Sequence, residues 1–310
     1  AVDIRASGQD GLRAPGPLLA DAVPRLLLAL SQVGALGEDV LWDGPLEQLV
    51  DVHGARVLTF TPACTALRFG PDGAEARLPD GALVRLTGAA GRGPLPAGVT
   101  ARDAFSGLPM GARIALVDTN PLSDVEAHPE KRGNAIDLGG VPIEDWVGGL
   151  TEALALVQAG LPGWYAELPE ALHRVVPVGY DARRHVSATY REAPGLAYLS
   201  LHPNRITLAE AIVHEVQHTK LNTLLQLDRV LENGRGTWTP SPVRPDLRPL
   251  EGVLLAVHAF LPVAALHAAL ADQEHPLTRD PWFSRRRLEV LTGNSVGLDI
   301  LMKLGQWTAA

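Results

Sequence analysis

The run His214-Glu215-Val216-Gln217-His218 constrains this 310-residue chain more than any other, because its surroundings demand a buried helix. Thr207-Leu208-Ala209-Glu210 reads as a capping box, and an apolar stripe follows through Ile212, Val213, Val216, Leu221, Leu224 and Leu225. The motif is therefore expected about two turns inside a long helix. Histidines four residues apart stand on one helical face, one turn above the other. A glutamate and two histidines among apolar neighbours are costly to bury unless they are paired or bind an ion. A metal site lacking its third ligand is the economical expectation.

Imidazole suits zinc, iron, copper and nickel alike, so the pair alone does not choose the chemistry. In a zinc peptidase, Glu215 is the general base that takes a proton from metal-bound water. The metzincin variant is excluded, since Thr219, Lys220, Leu221 and Asn222 follow His218 with no glycine to turn the chain. Pro249 and the apolar run after it predict a second helix, on which Glu251 and His258 share a face at i and i+7. Either completes a three-ligand site. Glu251 would give a two-histidine, one-carboxylate set, but it sits in a first turn, where a carboxylate is favoured by the helix dipole alone. His258 lies mid-helix among Val, Ala and Phe and is the first choice. Between the two helices, residues 236–249 are punctuated by prolines and carry Arg244 and Arg248. The planar guanidinium binds carboxylates through two parallel hydrogen bonds, so these arginines point to an acidic cosubstrate or substrate.

Three stretches together resemble a known family. They are Val186-Ser187-Ala188-Thr189 through Leu199-Ser200-Leu201, then Val213 through Asn222, then Arg244-Pro245-Asp246-Leu247-Arg248-Pro249-Leu250. The pattern HExQHxKL followed by Arg-Pro-x-x-Arg-Pro-Leu is similar to the HExxH-type peptide β-hydroxylases. These are iron(II)- and 2-oxoglutarate-dependent oxygenases that act on ribosomally made, post-translationally modified peptides. The resemblance covers about residues 110 to 275. It implies iron(II) at His214 and His218, 2-oxoglutarate and O2 as cosubstrates, and hydroxylation of a β-carbon, on Asp or His, in a precursor peptide. It also implies that Arg244 or Arg248 holds the distal carboxylate of 2-oxoglutarate, with Lys220 in reserve. Helical arithmetic turns Lys220 away from the histidine face, whereas Asn222 continues that face and is a candidate to orient an imidazole. Glu215 would then orient water or substrate, or serve as a ligand. The third ligand stays open between His258 and Glu251.

Composition narrows the remaining classes. Hydrophobic content of 46% with 20% charged residues fits a globular enzyme and excludes fibrous or disordered chains. A net charge of -8 argues against nucleic acid or an anionic membrane as the main partner. Apolar stretches read as too short and too broken by Pro and Gly to span a bilayer, and residues 1–20 lack a signal-peptide pattern, so a cytoplasmic location is expected. The single cysteine, Cys64, excludes an intrachain disulfide and any cysteine-cluster metal site and reads as inert.

The expected fold is α+β. Residues 1–98 form an N-terminal region of short antiparallel strands and a helix near 18–36 broken by Pro24; it is a candidate for substrate recognition. Strands are predicted at 56–60 and 65–69, with a hairpin over 75–86, and 91–98 reads as the linker. Residues 99–310 form the catalytic region, a mainly helical core built on the HExxH helix and the second ligand helix. Ahead of these come a strand over 112–118, a helix from Ile143 to Gln158 with Trp146 in the core, and a hairpin of 186–190 and 197–201. His185, His202 and His267 read as ordinary histidines, lacking spacing to the pair. Two other functions stay in view: a zinc metallopeptidase, and a non-catalytic peptide-binding protein with a structural metal.

Overall fold

A computed structural model of the chain describes residues 2–5, 17–86, 95, 97–120, 136–243 and 246–309. The fold is α+β and divides into two compact units, Ala1–Ser106 with Ala115–Asn134, and Gly107–Ile114 with Ala135–Ala310.

The first unit contains β1 (Val2–Arg5), α1 (Pro17–Gln32), β2 (Val40–Asp51), β3 (Arg56–Gly70), β4 (Gly73–Arg77), β5 (Leu83–Arg85) and β6 (Val99–Asp103). The strands make one sheet of order β1-β2-β3-β4-β5, with β6 pairing the first half of β3. The expected break between 98 and 99 thus falls within this unit, because Val99–Asp103 pairs with Arg56–Phe60. Two strands were expected over 56–69, and one long strand is found. Its register against β2 shifts on either side of Leu46, so the ladder bulges around Pro62, which has no N–H to donate. α1 likewise runs through Pro24. Trp42, Leu49, Leu58, Leu67 and Phe69 fill the core. Cys64 is buried there, and burial pushes its thiol up to about 11, the inert state expected of it. Most of the expected linker, 91–98, lies outside the described residues.

The second unit holds the HExxH helix. Its strands are β7 (Phe105–Gly107), β8 (Arg113–Ala115), β9 (Arg174–Tyr180), β10 (Ser187–Ala188) and β11 (Leu196–Leu201). They form a mixed sheet of order β10-β11-β9-β8-β7, in which β9 lies parallel to β8 and β11 while β10 and β11 form the expected hairpin. This half is therefore less purely helical than its sequence reads. Its helices are α2 (Ile143–Gly160), α3 (Pro162–Ala166), α4 (Leu168–Ala171), α5 (Arg205–Leu227), α6 (Leu250–Asp272) and α7 (Pro281–Leu304), with a short ribbon of β12 (Trp238–Pro240) and β13 (Leu247–Pro249) before α6.

α5 starts at Arg205, two residues before the expected capping box. Asn204 is the cap, its side-chain oxygen accepting from the backbone N–H of Ile206 and Thr207 at 2.9 and 3.3 Å. Leu208, Ile212, Val213 and Val216 then pack with Trp146, Leu150, Leu154 and Val157 of α2 and Val263 and Leu266 of α6 in one core. Trp146 is fully buried, its indole N–H donating to the Leu138 carbonyl at 3.1 Å. α6 corrects a further expectation: Leu250–Asp272 is long and apolar enough to cross a membrane, and Pro262 does not interrupt it. Here it packs between α5 and α7, where Gly297 of α7 lets the helices approach so closely that an added Cβ would meet a Val257 methyl at 2.5 Å.

Candidate functional site

Each residue of the HExxH run is held by a different neighbour. His214 faces a cavity of about 370 Å3, and its ring lies 4.5 Å from that of Phe260 on α6. Glu215, 2% exposed, does not line that cavity, and its carboxylate accepts from the Thr189 hydroxyl at 2.6 Å. Val216 is core. Gln217 accepts from the Trp164 indole N–H at 2.9 Å, and His218 meets His214. Neighbouring side chains on a helix diverge by about 100°, and α5 uses every direction to fix its own rotation.

The central geometry is the histidine pair. Nε2 of His214 and Nε2 of His218 are 2.8 Å apart, with the rings nearly perpendicular. Without an ion, one ring must offer Nε2–H and the other a lone pair; with an ion, both offer lone pairs to it. For a metal about 2.1 Å from each nitrogen, a 2.8 Å separation subtends roughly 84°, near the right angle of neighbouring octahedral ligands. The donor set fits a divalent transition metal.

The structure brings together fewer of the other expected residues. His258 is close enough to His218 for their charges to interact, and its Nδ1 is buried without a hydrogen-bond partner. Burial, reinforced by His218 and Lys220, holds this imidazole below its ordinary range. Glu251, the alternative ligand, pairs instead with Arg235 at 3.1 Å and lines a different cavity with Leu225, Leu231 and Glu232. Among the described residues, no three His, Cys, Asp or Glu side chains are arranged to hold a metal ion. Arg248 is 2.8 Å from Asp246 and does not line the His214 cavity, while Arg244 lies outside the described residues. Lys220 pairs with Glu167 and lies over the Trp164 ring, the packing role that helical arithmetic gives it. Asn222 is half-buried and makes no side-chain hydrogen bond among the described residues, so it does not orient His218.

The cavity beside His214 holds residues that sequence spacing passed over. His185, Ser187 and His202 line it with Arg183, Glu210 and Arg286. The signal was present in part: His185 and Ser187 are two apart on an extended segment and share a face. Ser200 on β11 supports this side, its hydroxyl lying 3.3 Å from His185 Nδ1 and accepting from the Val186 N–H at 2.8 Å. Glu210 continues the histidine face one turn before His214. It is buried, accepting from Arg286 Nε at 2.8 Å and lying 2.8 Å from Nε2 of the fully buried His267. His267, too, is more than an ordinary histidine.

Burial pushes His185 down to about 4, so the fold favours its neutral form. The unfolded chain takes up this proton near pH 6.5 and the folded protein only near 4; His185 therefore contributes stability above pH 6.5 that is lost as pH falls towards 4. Urea unfolding should show a His185-dependent loss of about 2 kcal/mol between pH 7 and 5. His185→Phe should flatten that part of the profile, and an unchanged slope would contradict this assignment. In comparisons with known proteins, no protein-family model matches the chain and no curated protein matches it.

Proposed function

We propose that this protein is an iron(II)- and 2-oxoglutarate-dependent oxygenase that hydroxylates a β-carbon in a peptide, with His214 and His218 as iron ligands. The observation that carries the reading is the convergence of the two Nε2 atoms at 2.8 Å beside a polar cavity. His258 is the third ligand in this reading. Its Nδ1 is buried without a hydrogen-bond partner and its ring is close enough to His218 for their charges to interact, whereas Glu251 is paired with Arg235. When bound, iron supplies activation of O2 with 2-oxoglutarate as the two-electron reductant.

The chain's own residues do the rest. His214 and His218 present lone pairs to one point, and Phe260 packs beside His214 and limits water there. The cavity's arginines and imidazoles receive the polar ends of the cosubstrate. β10 is the edge strand of its sheet beside this cavity, and the extended chain around it offers a peptide a partner for strand addition.

The zinc-peptidase reading requires Glu215 at the metal-bound water. Its carboxylate is instead buried against Thr189, and Glu215 is not a lining residue of the cavity. Glu215→Gln separates the two readings. Glutamine retains an oxygen to accept from Thr189, so 2-oxoglutarate turnover, assayed as succinate formed with iron(II) and ascorbate, should stay within about tenfold of wild type. A peptidase would lose its general base and, with it, two or more orders of magnitude. Zinc-dependent peptide cleavage abolished by Glu215→Gln would overturn the proposal.

A further inference from the structure

The geometry points to Arg286, on α7, as the residue that receives the distal carboxylate of a small dicarboxylate in the His214 cavity, in place of Arg244 or Arg248. This assignment rests on the oxygenase reading above and deepens it.

Four observations carry it. Arg286 and His214 line the same cavity, whose 370 Å3 is at the small end of ligand sites and suits a small molecule rather than a peptide segment. Phe260 bridges the two residues. Its ring is 4.5 Å from the His214 ring and 5.7 Å from the Arg286 guanidinium carbon, so the guanidinium is no further from His214 than those two steps laid end to end. A five-carbon acid with a metal-chelating 2-oxo end spans a gap of that order.

Thirdly, Arg286 is fixed before any ligand arrives. Its Nε donates to Glu210, which is buried and also held by His267, and its face lies over the aromatic ring. Those contacts use the inner edge of the guanidinium. At the outer end, Nη1 is 3.5 Å from Glu289, which is 67% exposed, a weak competitor for a bound carboxylate. A prepositioned guanidinium on the lining of a cavity, with Nη2 making no hydrogen bond among the described residues, is suited to bidentate carboxylate recognition. Fourthly, the rival described arginine is elsewhere: Arg248 pairs with Asp246 outside this cavity. Arg183, an exposed lining residue, adds a second positive charge at the same cavity.

The test is calorimetric titration of the anaerobic iron(II)-loaded protein with 2-oxoglutarate and with 2-oxobutyrate, which keeps the chelating end and lacks the second carboxylate. Wild type should bind the dicarboxylate roughly 10- to 100-fold more tightly, the worth of a charge-assisted bidentate pair. Arg286→Met should remove that preference while leaving 2-oxobutyrate affinity within about threefold. Arg286→Lys, which keeps the charge facing Glu210 but not the fork, should retain part of the preference and guards against a folding defect in the methionine variant. Arg248→Met should bind both acids as wild type does. An unchanged preference in both Arg286 variants would overturn this assignment alone. Wild-type protein that binds neither acid would overturn the oxygenase reading, and this inference with it.

Discussion

Alanine at position 214 should reduce bound iron from stoichiometric to background and abolish 2-oxoglutarate turnover, while the helical circular-dichroism signal stays close to wild type. The magnitude follows from geometry. His214 and His218 present their Nε2 atoms to one point at 2.8 Å separation, so removing either ring takes away one of the two donors that define that point. The fold should survive because α5 is rotationally fixed by Thr189 on Glu215 and Trp164 on Gln217 and packed through Ile212, Val213 and Val216, none of which the substitution touches. A local cost of about 1 kcal/mol is expected from the gap beside Phe260. His218→Ala should behave alike, and His258→Ala should weaken iron retention more than Glu251→Ala does. Plasma emission spectrometry of protein reconstituted anaerobically with iron(II) measures all four variants. Full iron content in His214→Ala would place the metal elsewhere.

Glu210→Ala should destabilise the protein by about 3 kcal/mol, the usual cost of removing one partner from a buried charge cluster. Its carboxylate serves both His267, which is 0% exposed, and Arg286. Most of the cost comes from His267, which would keep a buried ring with no partner on Nε2; Arg286 is partly exposed and recovers water, so its share is smaller. Glu210→Gln should cost less, because one amide oxygen still accepts. Pairing Glu210→Ala with His267→Leu should recover part of the loss, since an apolar replacement leaves no orphaned donor. Chemical unfolding at pH 7 measures these differences. Equal stability of Glu210→Ala and wild type would mean that the cluster does not hold α5, α6 and α7 together.

The helices were legible where their signals are local. α5 and α6 follow from apolar periodicity, and the α2 prediction from Ile143 to Gln158 falls two residues short of Gly160. Misreadings arose where two local signals compete. Thr207 with Glu210 imitates a capping box, yet Asn204 caps first, and Glu210 is drawn into the His267–Arg286 cluster instead. Local signals predict a break at Pro24 and separate strands on either side of Pro62; α1 runs through the first, β3 absorbs the second in a bulge, and α6 likewise runs through Pro262.

The site was legible in proportion to its sequence locality. His214 and His218 are four residues apart, and a helix alone brings them together. His185 and His202 meet the cavity through a hairpin, and Arg286 reaches it from a helix more than sixty residues beyond the motif. Nothing in the spacing of residues declares such long-range meetings; parallel pairing of β9 with β11 and the packing of α7 on α6 create them. The reverse also holds: Arg248 and Glu251 are near the motif in sequence and are committed to Asp246 and Arg235 in space.

The most direct test of the central claim is an anaerobic titration of the iron(II)-loaded protein with 2-oxoglutarate, followed by visible absorption. Chelation of iron by the 2-oxo acid produces a charge-transfer band. The account predicts a band that saturates at one equivalent of 2-oxoglutarate, decays on admission of O2 as succinate forms, and is absent in His214→Ala. Iron(II)-loaded protein that develops no band, together with a zinc-loaded form that cleaves peptides, would contradict it.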